Sequence, residues 1–478
     1  MKIVIAGRDF RFADNTKYFF IDSLNCPGVD GSILVKDEAL AARINGLLPE
    51  PRAFVLGSEA AGKRIEEADW LVVDSNPGRT TGEIILPART RICQLWHGVG
   101  VKAAGLLVKH FTPNSIRHFV GDDLLVATSP ALTLIFAKMF RPRRLFVANL
   151  PRNRVVKAGA CSPLDWIGVD EVARRQLAER KGKAVLYAPT FRSFRAHPEL
   201  LSPRADVVRK ICEKLRQIGA VLFLKLHPLD TLFEEYLRNE LATEMTSGRL
   251  RIIQCDSDIY PLFREMDMII SDYSSIATDF LFTGKPISIF IDDKESYEEL
   301  QTACVISPEV FAAGKICKSF GELEESFSAI ESESEESREW RGKILQFHFS
   351  TPPESAVPEI VHALENFPDG ASQRVAESVA IYGNWEDGSQ IYNEPVLDFT
   401  FLWNLFSNSA DARSTRFAVE KMRKTWGKVA NKGRGIHCLF RFLFWIHAPI
   451  PVLRFYVRCC FRLFVFLSTL KRKLKGQP

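Results

Sequence analysis

Short apolar runs alternate with stretches of helical periodicity through the first 320 residues of the chain. In the first half of this region the candidate strands are 2–6, 32–35, 53–56, 70–74, 91–95, 124–128 and 145–148. In the second half they lie near 184–188, 220–226, 251–254, 267–271 and 287–291. Strands that alternate with helices form parallel sheets covered by those helices. The pattern therefore predicts an α/β fold with two lobes, residues 1–165 and 166–365.

The pattern changes beyond the second set of strands. Residues 322–339 are rich in Glu and Ser, which is typical of a solvated helix face or a linker. A helical pattern over 357–364 is expected to close the second lobe. Residues 366–415 mix small polar residues with aromatic ones, and we interpret them as a connector to a separate tail over 416–478.

One apolar run of the first half ends on a histidine. Residues 91–95 lead to His97, and Gly98 and Gly100 follow, so the backbone there can approach a bound group closely. Because histidine titrates near neutral pH, a histidine at a strand end can act as a general base. We take His97 as the candidate base, with Gly98 and Lys102 close to it in the sequence. The structural alternative is a histidine that is only hydrogen-bonded within a loop.

Three apolar runs of the second half also end in polar or cationic residues. These strand ends carry Thr190 and Arg192 after 184–188, Lys225 and His227 after the run at 220–224, and the loop Ser271–Ser275 after 266–270. In open α/β sheets, ligands bind in the crevice outside the carboxyl ends of the strands. The three strand ends therefore predict one common site.

Charge is distributed unevenly along the chain. The whole sequence has a formal net charge of +5, but residues 416–478 hold fifteen Lys and Arg against the single acid Glu420. The tail alone is therefore at +14 and the first 415 residues at −9. A base-rich tail on an acidic body indicates a negatively charged partner for the tail.

The tail is apolar as well as basic. It has no charge-free stretch of ~18 apolar residues, which disfavours a transmembrane helix. Arg454, Arg458 and Arg462 recur every four residues and form one cationic stripe beside Phe and Leu side chains. A helix of this kind lies in the headgroup plane of an anionic membrane. A buried helical hairpin is the alternative. Nucleic acid is disfavoured as a partner, because so much apolar surface would stay exposed to water.

The cysteines and the N-terminus bear on the compartment. Ten cysteines form no C-x-x-C pair, which argues against a zinc ribbon, a redox motif or a disulfide framework and suits a reducing compartment. The apolar run in residues 1–7 is too short for a signal peptide. We therefore expect a protein at the cytoplasmic face of the cell membrane, bound peripherally through its tail.

Four motifs between about residues 90 and 290 resemble, in order and spacing, the CDP-glycerol glycerophosphotransferase family of teichoic-acid primases and polymerases and related capsule enzymes. They are Trp96-His97-Gly98 with Lys102 and Gly105, Tyr187–Arg192, Lys225–Pro228, and the run from Asp258 and Asp267 through Ser271–Ser275 and Asp279 to Pro286. A segment similar to the family's Gly-x-Pro-Arg-x-Asp survives only as Pro151–Arg154. The resemblance implies a GT-B fold, in which two Rossmann-like lobes face each other across a cleft.

The resemblance also implies a reaction. CDP-glycerol would bind to the second lobe, and the hydroxyl of a lipid-linked saccharide or polyol-phosphate acceptor would attack its distal phosphorus and release CMP. Such chemistry needs positioning, charge neutralisation and a base near the nucleophile. His97 is then the base, with Gly98 and Lys102 on the acceptor side. Lys225 and His227 neutralise the diphosphate. No cofactor is required, although a divalent cation could bind the diphosphate, and no paired acidic cluster indicates metal ligands.

Further donor- or phosphate-binding candidates come from the same motifs. They are Thr190, Arg192, Ser271, Asp272, Ser274, Ser275 and Asp279. Ser274 and Ser275 precede a helical pattern, and a helix N-terminus favours anions, while Arg192 could bind phosphate through two N–H groups. Alternatively, Asp272 and Ser274 only cap the helix, and Asp279 is a structural carboxylate.

Three other functions stay open. The same strand ends would suit a GT-B glycosyltransferase that uses a sugar nucleotide, or a transferase of ribitol phosphate from CDP-ribitol. The third is a lipid-binding scaffold without catalysis, which the combination of His97, His227 and the Ser271–Ser275 loop disfavours.

Overall fold

The computed structural model describes residues 1–75, 84–99, 102, 104, 122–140, 142–192, 197–293, 297 and 313–367. The chain divides into two units, Met1–Ala418 and Val419–Pro478, and all of the described residues belong to the first. The tail with Arg454, Arg458 and Arg462, and all but the first two residues of the expected connector, lie outside the described residues.

The first lobe is built on a parallel sheet of seven strands among the described residues, in the order β3-β2-β1-β4-β5-β6-β7. The strands are β1 Lys2–Ala6, β2 Asp30–Val35, β3 Ala53–Val55, β4 Trp70–Val73, β5 Arg91–Gln94, β6 Leu124–Ala127 and β7 Arg144–Val147. In β1, Ile3 and Ile5 belong to the core on one face of the sheet, while Val4 and Ala6 belong to the core on the other. Because both faces are buried, these strands read as continuous apolar runs.

Helices cover both faces of this sheet. They are α1 Asp14–Ser23, α2 Glu38–Asn45, α3 Glu59–Glu67, α4 Pro130–Phe140 and α5 Asn153–Ala158, with short 3-10 helices at Arg8–Phe10 and Pro163–Trp166. Polar side chains begin two of them: Asp37 accepts from the N–H of Leu40 at α2, and Ser58 accepts from that of Ala61 at α3. Such caps satisfy backbone donors that a helix N-terminus leaves unpaired.

The second lobe repeats the plan with six parallel strands among the described residues, in the order β10-β9-β8-β11-β12-β13. They are β8 Lys183–Ala188, β9 Ala220–Lys225, β10 Leu250–Ile253, β11 Met268–Ser271, β12 Ile287–Phe290 and β13 Lys315–Cys317. The register of β8 against β11 places Ala188 beside Ser271. The loops that follow these two strands therefore leave the sheet side by side.

Helices of the second lobe connect these strands and follow them. They are α6 Glu171–Ala178, α7 Leu201–Gln217, α8 Thr231–Glu240, α9 Ala242–Thr246, α10 Ile276–Phe280, α11 Phe320–Ser326 and α12 Glu335–His348. Short 3-10 helices lie at Pro198–Leu200, Tyr260–Glu265, Leu281–Thr283, Phe327–Ile330 and Pro353–Ser355. The Glu- and Ser-rich stretch therefore forms helices, with Leu323 buried beneath it.

The last described helix corrects one expectation. Helix α13, Ala356–Glu365, packs against the first lobe rather than closing the second. Its apolar side chains Val357, Ile360, Val361 and Leu364 belong to the same core as Ile3 and Ile5 of β1. The helical period of this segment was correct, but periodicity does not say which core an apolar face joins.

The candidate strands of both lobes are confirmed to within about two residues at each end. Strand β13 was not among them, because its three residues, two of them partly or fully exposed, give too short an apolar run. Within the described part of the chain, no helix is both long and apolar enough to cross a bilayer.

Candidate active site

A cavity of about 720 Å³ lies where the carboxyl ends of strands from both sheets meet. It gathers eight of the predicted site residues: His97, Gly98, Lys102, Thr190, Lys225, His227, Ser274 and Ser275. The other four donor-side candidates do not line it: Arg192, Ser271, Asp272 and Asp279. The predicted common site is thus assembled from separate strand ends, but some of the predicted residues lie behind its wall.

The loop that carries His97 leaves β5 through a strained residue. Trp96 adopts a left-handed backbone conformation with φ 58°. Two side chains hold it there: Asn15 donates to the Trp96 carbonyl at 2.7 Å, and the Gln94 side chain accepts from the Trp96 N–H at 2.9 Å. Non-glycine residues persist in such conformations only where their surroundings enforce them, and functional sites collect them.

The His97 side chain is exposed to the cavity. Desolvation by the surrounding protein lowers the pKa of His97, and the positive charges of Arg8, Arg152 and Lys102 lower this pKa further. The imidazole is therefore neutral at neutral pH, which is the form that can accept a proton.

Gly98 allows the first lobe to approach the second. A Cβ atom at this position would lie 2.2 Å from the Ser275 hydroxyl oxygen and 2.8 Å from the Ser275 Cβ. The hydroxyl of Thr278 also donates to the Val99 carbonyl at 2.9 Å. Gly98 therefore serves as a contact surface for the second lobe, beside its predicted place on the acceptor side.

Lys225 and His227 follow β9 and face the cavity from the second lobe. The Lys225 ammonium donates to the carbonyls of Cys255 at 2.7 Å and Leu226 at 3.0 Å, and burial lowers the pKa of Lys225 to about 8. The Nδ1 atom of His227 accepts from the Leu229 N–H at 3.2 Å, so the remaining ring nitrogen, Nε2, carries the proton in the neutral ring. Desolvation, followed by Arg8 and Lys102, lowers the pKa of His227 to about 3.

Arg192 and Asp272 form the wall of the site rather than its surface, which corrects two of the predicted phosphate contacts. Arg192 donates to Asp272 at 2.8 Å and pairs with Asp293 at 3.0 Å, with its guanidinium 4.4 Å from the Tyr297 ring centroid. The second oxygen of Asp272 accepts from the backbone N–H of Thr190 at 2.8 Å and from its hydroxyl at 2.5 Å. This buried network ties the loops after β8 and β11 together.

Asp279 is likewise buried and bound by the protein itself. Its carboxylate pairs with Arg152 at 2.6 Å, and neither side chain has exposed surface. The same guanidinium pairs with Asp14, donates to the His97 carbonyl at 2.8 Å and lies 4.7 Å from the Tyr260 ring centroid. Arg152, from the family-like Pro151–Arg154 segment, thus connects the His97 loop to the second lobe, and Asp279 is not placed to bind a donor.

The serine loop reaches the cavity with only two of its residues. Ser271 is buried and donates to the Ala188 carbonyl at 2.6 Å, so it joins β11 to β8. Ser274 and Ser275 line the cavity at the start of α10, which has only five residues. Ser274 accepts from the Ile276 N–H at 3.4 Å, while Ser275 makes no capping bond through its side chain. The two hydroxyls face the cavity, but α10 is too short to supply a strong dipole.

Several cavity residues of the first lobe were missed by sequence reasoning. They are Arg8, Arg11 and Asp14, which follow β1, and Asp74, which follows β4. Burial, then the neighbouring Asp14 carboxylate, raises the pKa of Asp74. The signal was available: β1 ends in Gly7-Arg8, a cationic strand end of the same kind as those used in the second half.

Within the described residues, no three His, Cys, Asp or Glu side chains are grouped so that they could hold an ion. Binding of a divalent cation by the substrate diphosphate stays a prediction.

Residues 11–365 match the model of a family described as CDP-glycerol:poly(glycerophosphate) glycerophosphotransferase. The chain belongs to this family. The match begins after β1 and extends through the rest of both lobes to helix α13, so it includes the cavity residues other than Arg8. It confirms the resemblance carried by the four motifs. By its description, this is a family of glycerophosphotransferases.

Among similar proteins, a teichoic acid poly(glycerol phosphate) polymerase of Bacillus subtilis is 24% identical over 282 residues, covering 55% of this chain and 35% of the relative. A teichoic acid glycerol-phosphate primase of the same organism is 25% identical over 222 residues, covering 44% and 52%. A ribitol-phosphate polymerase, TarK, of Staphylococcus aureus is 26% identical over 312 residues, covering 62% and 56%. The chain thus spans between 35% and 56% of the length of these relatives.

The fold has a solved counterpart. The structure of the wall teichoic acid polymerase TagF superimposes with a TM-score of 0.59 at 18% identity, covering 76% of this chain and 88% of that one. The two parallel sheets with a cleft between them are therefore a GT-B fold, as the resemblance implied.

Proposed function

We propose that the protein transfers glycerol phosphate from CDP-glycerol to an acceptor hydroxyl and releases CMP, in the synthesis of a cell-surface polymer. The observation that carries this proposal is the shared cavity, which brings His97 of the first lobe opposite Lys225, His227 and the two serines of the second. A neutral base thus faces cationic and hydroxyl groups suited to a diphosphate.

In the proposed step, the acceptor oxygen attacks the distal phosphorus of CDP-glycerol. The bond from this oxygen to phosphorus forms, and the bond from phosphorus to the bridging oxygen breaks, so CMP leaves with that oxygen and its electron pair. The hydroxyl proton passes to His97. Catalysis of this kind depends on positioning and on stabilisation of charge at the transferring phosphoryl group.

The donor diphosphate would lie against the second lobe. Lys225 stays mainly protonated at neutral pH with its pKa of about 8, and its ammonium is held by two carbonyls at the cavity wall. The Nε2 atom of His227 can donate a hydrogen bond to a phosphate oxygen, as can the hydroxyls of Ser274 and Ser275. This assignment leaves Arg192 and Asp272 as the rigid support of the loops that present these groups.

A donor panel tests the proposal. Purified full-length protein is incubated with an acceptor extract and with CDP-glycerol, CDP-ribitol or a UDP-sugar, and released CMP and UDP are measured. We expect CMP release from CDP-glycerol. Preferred use of CDP-ribitol would change the transferred alcohol, which the similarity to a ribitol-phosphate polymerase makes a specific alternative. Release of UDP alone would contradict the proposal in favour of a glycosyltransferase.

We further propose that the acceptor is lipid-linked and that residues 416–478 bind the anionic cytoplasmic leaflet. The support is the net charge of +14 in a segment that is also rich in Phe and Leu. Changing Arg454, Arg458 and Arg462 together to Glu should release the full-length protein from anionic liposomes in a sedimentation assay. Exchange of Lys36, Lys63 and Lys181 for Glu adds the same negative charge outside the tail and serves as the control. Unchanged sedimentation of the tail variant would contradict the proposal.

A further inference from the structure

The turn between β1 and α1 has an unusual backbone. Asp9, Phe10 and Asp14 have φ of 53°, 55° and 58°, and among the described non-glycine residues only Trp96 shares this left-handed conformation. A non-glycine residue adopts this conformation only at an energetic cost that its surroundings must offset. Since Asp14 and Trp96 also line the cavity, the strained backbone of the first lobe is concentrated around the candidate site.

Surrounding contacts enforce this turn. Phe10 is buried in the first-lobe core, and its N–H donates to the Gly7 carbonyl at 3.0 Å. A Cβ atom on Gly7 would lie 2.7 Å from both the Arg11 carbonyl oxygen and the Thr16 hydroxyl oxygen, so only glycine fits there. At the far end of the turn, Asp14 accepts from the Asn15 N–H at 2.8 Å and pairs with Arg152.

The turn delivers the Arg8 side chain to the cavity. Strand β1 neighbours β4, and β4 neighbours β5, so the end of β1 lies two strand spacings, about 10 Å, from the end that carries His97. A long arginine side chain reaches across such a gap. Its Nε atom is 3.8 Å from the Asp9 carboxylate.

The electrostatics of the two histidines agree with this placement. After desolvation, the charge of Arg8 contributes most to lowering the pKa of His97 and also that of His227. Lys102 contributes to both as well. The guanidinium of Arg8 is therefore within electrostatic range of the proposed base on one lobe and of the proposed donor contact on the other.

We propose that Arg8 is a catalytic residue that binds the non-bridging oxygens of the transferring phosphoryl group in the transition state. The inference rests on the proposed function. The second lobe holds the ground-state diphosphate, and Arg8 contacts the phosphorus centre from the acceptor lobe as the acceptor oxygen attacks it. A guanidinium suits this position, because its planar N–H groups can bind two phosphate oxygens at once while charge accumulates on them.

The test separates transition-state binding from ground-state binding. Arg8→Ala, Arg8→Lys and the control Arg43→Ala, an exposed position on α2, are compared in kcat, in KM and in the Kd for CDP-glycerol. We expect Arg8→Ala to lower kcat by about 10²–10³-fold, the usual loss for one oxyanion donor, and to change the Kd less than about threefold. Arg8→Lys should recover part of kcat, and the control should match the wild type.

Two acceptors identify the phosphate that Arg8 binds. One is an octyl-linked glycerol without charge, and the other is the same compound ending in glycerol phosphate. An equal loss of kcat in Arg8→Ala with both acceptors supports the proposal. Loss with the phosphate-ended acceptor alone would assign Arg8 to the acceptor's phosphate and overturn it, as would a large loss of CDP-glycerol affinity at unchanged kcat.

Two controls keep the outcomes distinct. Thermal unfolding of the Arg8 variants detects a folding defect. If Arg8→Ala has a lower melting temperature than the wild type, Arg8→Lys with normal stability is compared with the wild type instead. A wild-type kcat in Arg8→Lys then counts against the proposal. Failure of the wild type to release CMP from CDP-glycerol refutes the proposed function itself. Release of CMP by the wild type and equally by Arg8→Ala refutes only the role of Arg8.

Discussion

The two lobes contribute to the cavity in different ways. In the second lobe, short contiguous motifs supply both the groups that face the cavity, such as Lys225 and Ser274, and the groups behind them, such as Arg192 and Asp272. In the first lobe the cavity residues Arg8 and Asp74 lie outside the four motifs, and only His97 lies within one of them. The motifs therefore show where the second-lobe site lies, but they include residues that do not reach the cavity. The first-lobe site can be recognised only once its strands are assembled into a sheet.

The networks behind the two walls differ as well. In the second lobe, Arg192 and Asp272 join neighbouring loops of one sheet. In the first lobe the buried ion pairs cross to the other lobe: Arg152 pairs with Asp279, and Lys17 pairs with Asp258 at 2.8 Å without exposed surface on either partner. The second lobe thus supports its own site, while the first lobe is positioned partly by contact with the second.

The largest expected effect falls on the first-lobe base. His97→Ala should lower turnover by about 10²–10⁴-fold, the usual loss for a general base, while the Kd for CDP-glycerol stays close to that of the wild type. Steady-state kinetics and calorimetric donor titration measure the two quantities. His362→Ala, on the outward part of α13, is the control. Near wild-type turnover in His97→Ala would show that His97 is not the base and that the first lobe does not supply this group.

The next effect distinguishes the wall of the second-lobe site from its surface. Arg192→Ala leaves the Asp272 carboxylate buried without its cation, so the free energy of unfolding should fall by about 3–5 kcal/mol in chemical denaturation. The double change Ser274→Ala and Ser275→Ala should instead weaken CDP-glycerol binding by about tenfold, from the loss of one or two hydrogen bonds, with little change in unfolding. The reverse result, an unstable serine variant and a stable Arg192 variant, would exchange the two roles.

The smallest effect concerns pH. In the folded protein the pKa of His227 is about 3, against ~6.5 in an unfolded chain, so between these values the unfolded state binds the extra proton. The contribution of His227 to stability is therefore complete above about pH 6.5 and declines as the pH falls below that value. Urea denaturation at pH 7 and at pH 5 should show a smaller loss of stability for His227→Gln than for the wild type. Identical losses would mean that His227 is as hydrated in the cavity as in the unfolded chain.

Sequence reasoning succeeded where one local pattern was sufficient. The strands were predictable because both faces of each sheet are buried, and the strand ends with His97 and His227 were predictable because polar residues directly follow apolar runs. Arg8 follows the same rule after β1, but it lies outside the four motifs, which begin near residue 90. Asp279 was misplaced because its partner Arg152 is 127 positions away in the chain.

By itself, the sequence determined the two sets of parallel strands, the family and the strand ends at which the chemistry gathers, because these depend on residues that are close together along the chain. Only the tertiary structure decided which polar side chains face the cavity and which pair with one another. The lateral order of the strands places the Asp272 carboxylate beside Arg192 and Arg8 near His97. A buried charge must find a partner, and whether that partner is another residue or a substrate depends on contacts between distant parts of the chain.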